Sequence, residues 1–230
     1  MVACPATTTT TDAGTDAATF DEPLPCQPDA SPDASDDVQP THPPFQNACS
    51  PAQISDYAQC QGQKMTSLCE QFKPGGPGEA CGKCIETAAE SPLWGVIVFK
   101  GSTASMNVEG CVDDALGTTE CGDALHRLYQ CEEIVCSACT GGDFRSCELQ
   151  ATESPQGFCK GYSDTVLDPT GPCAAINGDA GLPCAVQNCF PNTACTDTTR
   201  QQVDWLARIV AYMCGAPTTD CPVGSTNPCP

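Results

Sequence analysis

The side chains in this sequence best placed to do chemistry are its cysteines. Cys81-Gly82-Lys83-Cys84 has the C-x-x-C form of a thiol–disulfide redox motif. In such a motif a thiolate at Cys81 attacks and Cys84 resolves the mixed disulfide. That chemistry needs a strand directly before the motif, and the residues there, KPGGPGEA, read as a loop. Cys136-Ser137-Ala138-Cys139 could join the first pair as a four-cysteine zinc site, but the two pairs lie further apart than in zinc fingers. The competing reading makes all four structural half-cystines. It is preferred, and it leaves no catalytic residue, no metal ligand and no cofactor assigned.

The other candidates carry less. His126 sits on an expected helix between Leu125 and Arg127. A catalytic histidine needs an orienting carboxylate and a nucleophile, and no G-x-S-x-G motif supplies one. It is expected to be a surface residue. His42 lies in a low-complexity stretch, and neither CxxCH nor HExxH occurs. Asp113-Asp114 and Glu132-Glu133 lack EF-hand spacing and are expected to be solvated charge. The apolar run Leu93–Phe99 reads as a core strand rather than an exposed patch.

The cysteine content sets the class. The chain has 230 residues with 21 Cys and 2 His, a density typical of a disulfide scaffold in an oxidising compartment. Zinc would require nearly all-cysteine sites, because histidine is scarce. The expected structural disulfide cysteines are Cys26, Cys49, Cys60, Cys69, Cys81, Cys84, Cys111, Cys121, Cys131, Cys136, Cys139, Cys147, Cys159, Cys173, Cys184, Cys189, Cys195, Cys214, Cys221 and Cys229. Spacing alone does not give their pairing. Nine basic against 29 acidic residues leave a net charge of −20, which argues against nucleic acid and anionic lipid as partners. LWGVIVF is the longest apolar run, far short of the roughly 20 residues that span a bilayer. No N-x-[ST] glycosylation sequon is present.

Helices must position these sulfurs. Ser50-Pro51-Ala52-Gln53 is a capping box with proline at the first helical position. Ile54, Ala58, Met65, Leu68 and Phe72 follow at helical spacing, with Gly62 as a kink candidate. On one straight helix Cys60 and Cys69 would lie about 13 Å apart on opposite faces, too far to bridge each other. Each is therefore expected to staple a different neighbour. Glu79–Glu90 is expected as a short helix, Leu93–Phe99 as a strand and Ala104–Val108 as its hairpin partner. Glu120–Val135 is the clearest helix, with Cys121, Leu125, Leu128 and Val135 on one face beside Ala124 and Ile134. Asp143–Ala151, Ser154–Leu167 and Thr199–Cys214 are further helices, and 168–198 reads as stapled loop. The fold class is mostly α: a small disulfide-rich helical domain with at most a minor β-hairpin, preceded by a disordered acidic linker.

That linker is expected over 1–46 and the domain over 47–230, with a subdivision near 170 left open. The lead carries eight acidic residues, no Lys or Arg, a threonine run and PDASPDASDD repeats. Such a segment buries too little apolar surface to offset its ordering entropy. Its start, MVAC, resembles a bacterial lipobox, with the lipid on Cys4. The apolar signal region that precedes a lipobox is not in the chain, so Cys4 is either the lipid site of a trimmed precursor or an ordinary cysteine. Setting Cys4 aside leaves an even number from 21.

The lead resembles linkers of secreted lipoproteins from myxobacteria and related deltaproteobacteria. Asn107-x2-Gly110-Cys111, Cys121-Gly122-x-Ala124, Cys131, Cys136-x2-Cys139, Cys147 and Cys159-x2-Tyr162 together resemble an uncharacterised cysteine-rich family of those bacteria. Cys81-x2-Cys84 and the Trp94-Gly95 step look like the same pattern. The resemblance covers residues 47–165 and implies location and architecture, not activity.

The expectation is a non-enzymatic binding or structural protein, secreted or anchored at the outer-membrane surface. Its partner would be an unknown protein or envelope component. The alternatives are a thiol–disulfide oxidoreductase using Cys81 and Cys84, and a carrier of a small apolar ligand.

Overall fold

The computed structural model describes residues 44–63, 66–101, 103–139, 142–177, 185–191 and 198–217. Most of the expected linker, with Cys4 and Cys26, lies outside these residues, as do Cys184, Cys195, Cys221 and Cys229. The fold is mostly helical with a small three-stranded sheet. No described helix is long and apolar enough to cross a membrane.

Backbone pairing with the C-terminal helix is already present at Phe45. The amides of Phe45, Gln46, Ala48 and Cys49 donate to the carbonyls of Tyr212, Met213 and Cys214 at 2.8–3.0 Å. The Phe45 ring packs edge-on against Tyr212, with centroids 5.1 Å apart. Helix α1 (Pro51–Gln63) then opens on the capping box. The Gln53 amide donates to Ser50 Oγ at 3.3 Å, and the Ser50 amide to Gln53 Oε1 at 2.9 Å.

The straight-helix expectation for Cys60 and Cys69 is overturned. Helix α1 ends at Gln63 and a short α2 (Thr66–Cys69) begins afresh. Cys60 and Cys69 bridge each other with Cα atoms 5.2 Å apart, so the two do not lie on one straight helix. A 3-10 turn (Glu70–Phe72) leads to α3 (Glu79–Ile85).

Helix α3 is shorter than expected, because Glu86–Ala88 forms strand β1. The following chain crosses the end of α3 at Gly95, where a Cβ would sit 2.3 Å from the Cys84 carbonyl oxygen. That close approach leaves room only for glycine. Strand β2 (Ile97–Lys100) pairs parallel with β1 and antiparallel with β3 (Thr103–Met106), with Val98 opposite Ser105. The strand starts only at Ile97, and of the expected core run Leu93–Phe99, Val96 and Val98 are buried while Phe99 is exposed, so the run is core in part.

Helix α4 (Val108–Leu116) occupies a stretch that carried no helix expectation. Asn107 is buried and caps it, accepting from the Gly110 amide at 3.0 Å and donating to the Gly95 carbonyl at 2.9 Å. Gly117, at φ 70°, closes its C-terminus. Helix α5 (Glu120–Val135) has the expected bounds and face, although Ile134 is exposed. Helix α6 (Gly142–Glu153) follows. The expected helix Ser154–Leu167 is reduced to α7 (Lys160–Leu167). The turn before it is held by the Gly157 amide on the Ser154 carbonyl and the Cys159 amide on that of Ala151. Helix α8 (Ala174–Asn177), a 3-10 turn (Val186–Asn188) and α9 (Thr198–Cys214) complete the described elements.

The core lies where α9 packs on α1 and where α5 packs on α4 and α7. Disulfides tie these layers. Cys49–Cys81 and Cys84–Cys214 fix α3 to the start of α1 and to α9. Cys111–Cys189, Cys121–Cys173 and Cys131–Cys159 clamp α4 and α5 to later segments, and Cys136–Cys147 joins the end of α5 to α6. Cys139 is also disulfide-bonded. Three of these bridges span position 170.

Candidate functional site

The C-x-x-C motif does not form a redox pair in this structure. Cys81 is bonded to Cys49 and Cys84 to Cys214, and both cysteines are buried. A resolving cysteine must share its disulfide with the attacking one, and here the two sulfurs belong to separate bridges on a helix with no preceding strand. Zinc is unsupported for the same reason. Cys81, Cys84, Cys136 and Cys139 are all disulfide-bonded, and the metal needs thiolates.

The most developed polar site is centred on His126, against the surface expectation. The side chain is 5 % exposed. Its Nδ1 lies 3.1 Å from Glu109 Oε1 and its Nε2 lies 2.7 Å from Gln130 Nε2. An amide nitrogen only donates, so Nε2 accepts from Gln130. The ring proton therefore sits on Nδ1 and goes to Glu109. This arrangement orients the imidazole as a catalytic dyad would, but Gln130 occupies the nitrogen that would act as base. The Trp94 ring lies across the imidazole, with centroids 5.8 Å apart.

The Glu109–His126 pair forms part of the wall of a cleft of about 580 Å³. The sheet contributes Val98, Lys100, Ser105 and Met106, α4 contributes Val108 and Glu109, and α5 contributes His126, Tyr129, Gln130, Glu132 and Glu133. Phe144 and Glu148 enter from α6 and Trp205 from α9. Both tryptophans of the chain thus line one cavity. Their indole N–H groups are used inside the fold: Trp94 donates to the Ala89 carbonyl and Trp205 to that of Cys189, each at 3.0 Å. Those bonds fix the rings and leave their apolar surface for contact.

The cleft is acidic. Burial, reinforced by the charge of Glu148 and opposed by Arg145, holds the Glu132 carboxyl up at about 7. Tyr129 is pushed above its ordinary range by burial and by Glu109, Glu132 and Glu148. Glu132 is half-buried and so departs from the solvated-charge expectation, whereas Glu133 keeps to it. Asp113, outside the cleft, departs as well. Burial foremost, and then the charges of Asp123, Asp114 and Glu109, raise it to about 7, against the Gly122 amide that donates to it at 2.7 Å.

A second cavity runs between α1 and α9. It measures about 920 Å³, and Pro51, Ile54, Ala58, Val203, Ala207 and Ala211 give it a largely apolar lining. Neither cavity was visible in sequence periodicity. Glu109 and His126 come from different helices, and the Asn107 and Gly117 signals, with apolar residues at helical spacing over Val108–Leu116, could have indicated the first of them. No family model matches the chain, and no curated protein or solved structure matches it.

Proposed function

We propose that the protein is a non-enzymatic binding module, secreted or held at the cell surface, and that the tryptophan-lined cleft is its ligand site. The observation that carries this reading is the convergence of both tryptophans on one cavity, each with its N–H already satisfied by backbone. A volume of about 580 Å³ falls in the range of small-molecule sites, roughly 300–1,000 Å³. Seven bridges among the described residues keep the wall helices in place, which reduces the ordering cost of binding. The same bridges support an oxidising location. A lipid on Cys4, an acidic spacer and kinship with the myxobacterial cysteine-rich proteins belong to this proposal.

Tryptophan fluorescence of the full chain, titrated with amines, sugars, amino acids and fatty acids, tests the reading. At least one class should shift the emission, and Trp94→Phe or Trp205→Phe should reduce that shift. A panel that leaves the emission unchanged would remove the cleft as a ligand site.

A carrier of a small apolar ligand is the second reading, favoured by the α1–α9 groove. A fatty-acid probe bound by the native chain and lost on Ala207→Trp would support it.

A further inference from the structure

We propose that the ligand of this cleft carries a positively charged amine on a small apolar body, an inference that rests on the cleft being a ligand site. Among the described residues, four glutamates, Glu109, Glu132, Glu133 and Glu148, line it against one lysine, Lys100. Arg145 reaches Glu148 at 3.3 Å from outside, with 73 % of its side chain exposed. An anion entering the cleft would meet an acidic excess that Lys100 and Arg145 offset only in part.

Glu109 belongs to this wall. It is 9 % exposed and gives Oε1 to His126, while its Oε2 is shut off from the open cleft and has no hydrogen-bond partner among the described residues, so it contributes charge to the wall rather than an accessible acceptor. An ammonium group, with up to three N–H donors and a positive charge, complements this wall and the carboxylates of Glu132, Glu133 and Glu148 beside it. The walls match the rest of such a molecule. Trp94, Tyr129, Phe144 and Trp205 offer apolar area and ring faces that attract cations.

Glu132 adds a pH dependence. It shares its surroundings with Glu148 and Arg145 from α6, Glu109 from α4, Lys100 from β2, and His126, Tyr129 and Glu133 from α5. With its carboxyl near 7, raising the pH through that value adds a negative charge to the cleft, while an aliphatic amine stays protonated. Affinity for the amine therefore rises with pH. Because His126 faces the same cavity, a Glu132 variant separates the two groups.

The test uses the full chain with its disulfides intact and three probes of one shape: phenethylamine, phenethyl alcohol and hydrocinnamate. Titration calorimetry and tryptophan fluorescence at about pH 8 should show the amine binding at least about tenfold more tightly than the alcohol, with hydrocinnamate weakest. Glu132→Gln should weaken the amine about tenfold and flatten its rise between about pH 6 and pH 8, leaving the alcohol unchanged. Glu148→Gln is the substitute if that variant does not fold. Equal binding of alcohol and amine, or tighter binding of hydrocinnamate, overturns the inference and leaves the cleft a ligand site. Silence from all three probes overturns it too, and the wider ligand panel then decides the fate of the cleft. Full pH dependence retained in the folded variant would reassign that effect to another group.

Discussion

At the residue scale, two carboxyls reverse the usual dependence of stability on pH. Asp113 and Glu132 stand at about 7 in the folded chain, against 3.8 and 4.5 ordinarily. The folded state keeps these protons where the unfolded chain has released them. Their stabilising contribution is full below the ordinary carboxylate range and is lost as pH rises through about 7. The protein is therefore expected to melt at a higher temperature at about pH 5 than at about pH 8, and self-repulsion from the acidic excess works in the same direction. Asp113→Asn keeps an acceptor for the Gly122 amide and should flatten the slope by stabilising the chain at the higher pH. Calorimetric melting across this range checks it, and an unchanged slope would sink the assignment to Asp113. Gly122 is coupled to the same contact, because a Cβ there would lie 2.2 Å from Asp113 Oδ1. Gly122→Ala is expected to cost roughly 1–3 kcal/mol in urea unfolding, the range for forcing a group into a packed site. None of this was legible in sequence. Asp113-Asp114 reads as surface charge, and Cys121-Gly122 reads as a helix start, until α4 and α5 are laid side by side.

At the element scale, legibility followed the strength of local signals. Helix α5 repeats its apolar residues over 16 positions and was found with its bounds; the capping box found the start of α1. The errors came where tertiary constraints override local pattern. The α1 periodicity runs on through Leu68 and Phe72, but the chain reverses between Cys60 and Cys69, whose Cα atoms lie 5.2 Å apart. The Glu79 helix yields at Ile85 because Glu86–Ala88 pairs with a strand the sequence places later. Helix α4 escapes the reading although Val108, Cys111, Val112, Ala115 and Leu116 keep helical spacing, because it is only nine residues long and its first residue also reads as the end of a strand. The Cys60–Cys69 bridge has a measurable consequence. Cys60–Cys69 closes a separation of 9 residues and Cys84–Cys214 one of 130. Chain entropy assigns these at most about 2.5 and about 5 kcal/mol, with intact neighbouring bridges shortening the longer loop. The double variant Cys60→Ala, Cys69→Ala should fold and lose less stability than Cys84→Ala, Cys214→Ala. Denaturant midpoints compare the two; the reverse order would mean that the α1–α2 turn contributes more to the fold than its short loop implies.

At the scale of the whole molecule, the bridges are arranged so that chemistry reaches them unequally. Cys69 is half-buried, and every other half-cystine of the seven described bridges is buried. Thiol–disulfide exchange requires an attacking thiolate to reach a sulfur in line, so a bridge inside the core opens only when the surrounding helices separate. Cys60–Cys69 closes a separation of 9 residues, has a half-buried Cys69 and lies outside the core cluster, so it opens without that. Graded reduction under native conditions, followed by alkylation and peptide mass mapping, should therefore label Cys60 and Cys69 first among the described bridges. Cys49–Cys81 and Cys84–Cys214 should resist until the chain unfolds, because they join α3 to the α1–α9 layer that holds the core together. The redox reading of Cys81-Gly82-Lys83-Cys84 makes the opposite demand, since a catalytic pair must be the most readily reduced in the molecule. Early labelling at Cys81 and Cys84, with Cys60 and Cys69 still bridged, would restore thiol exchange as the function and displace the scaffold role assigned to α3.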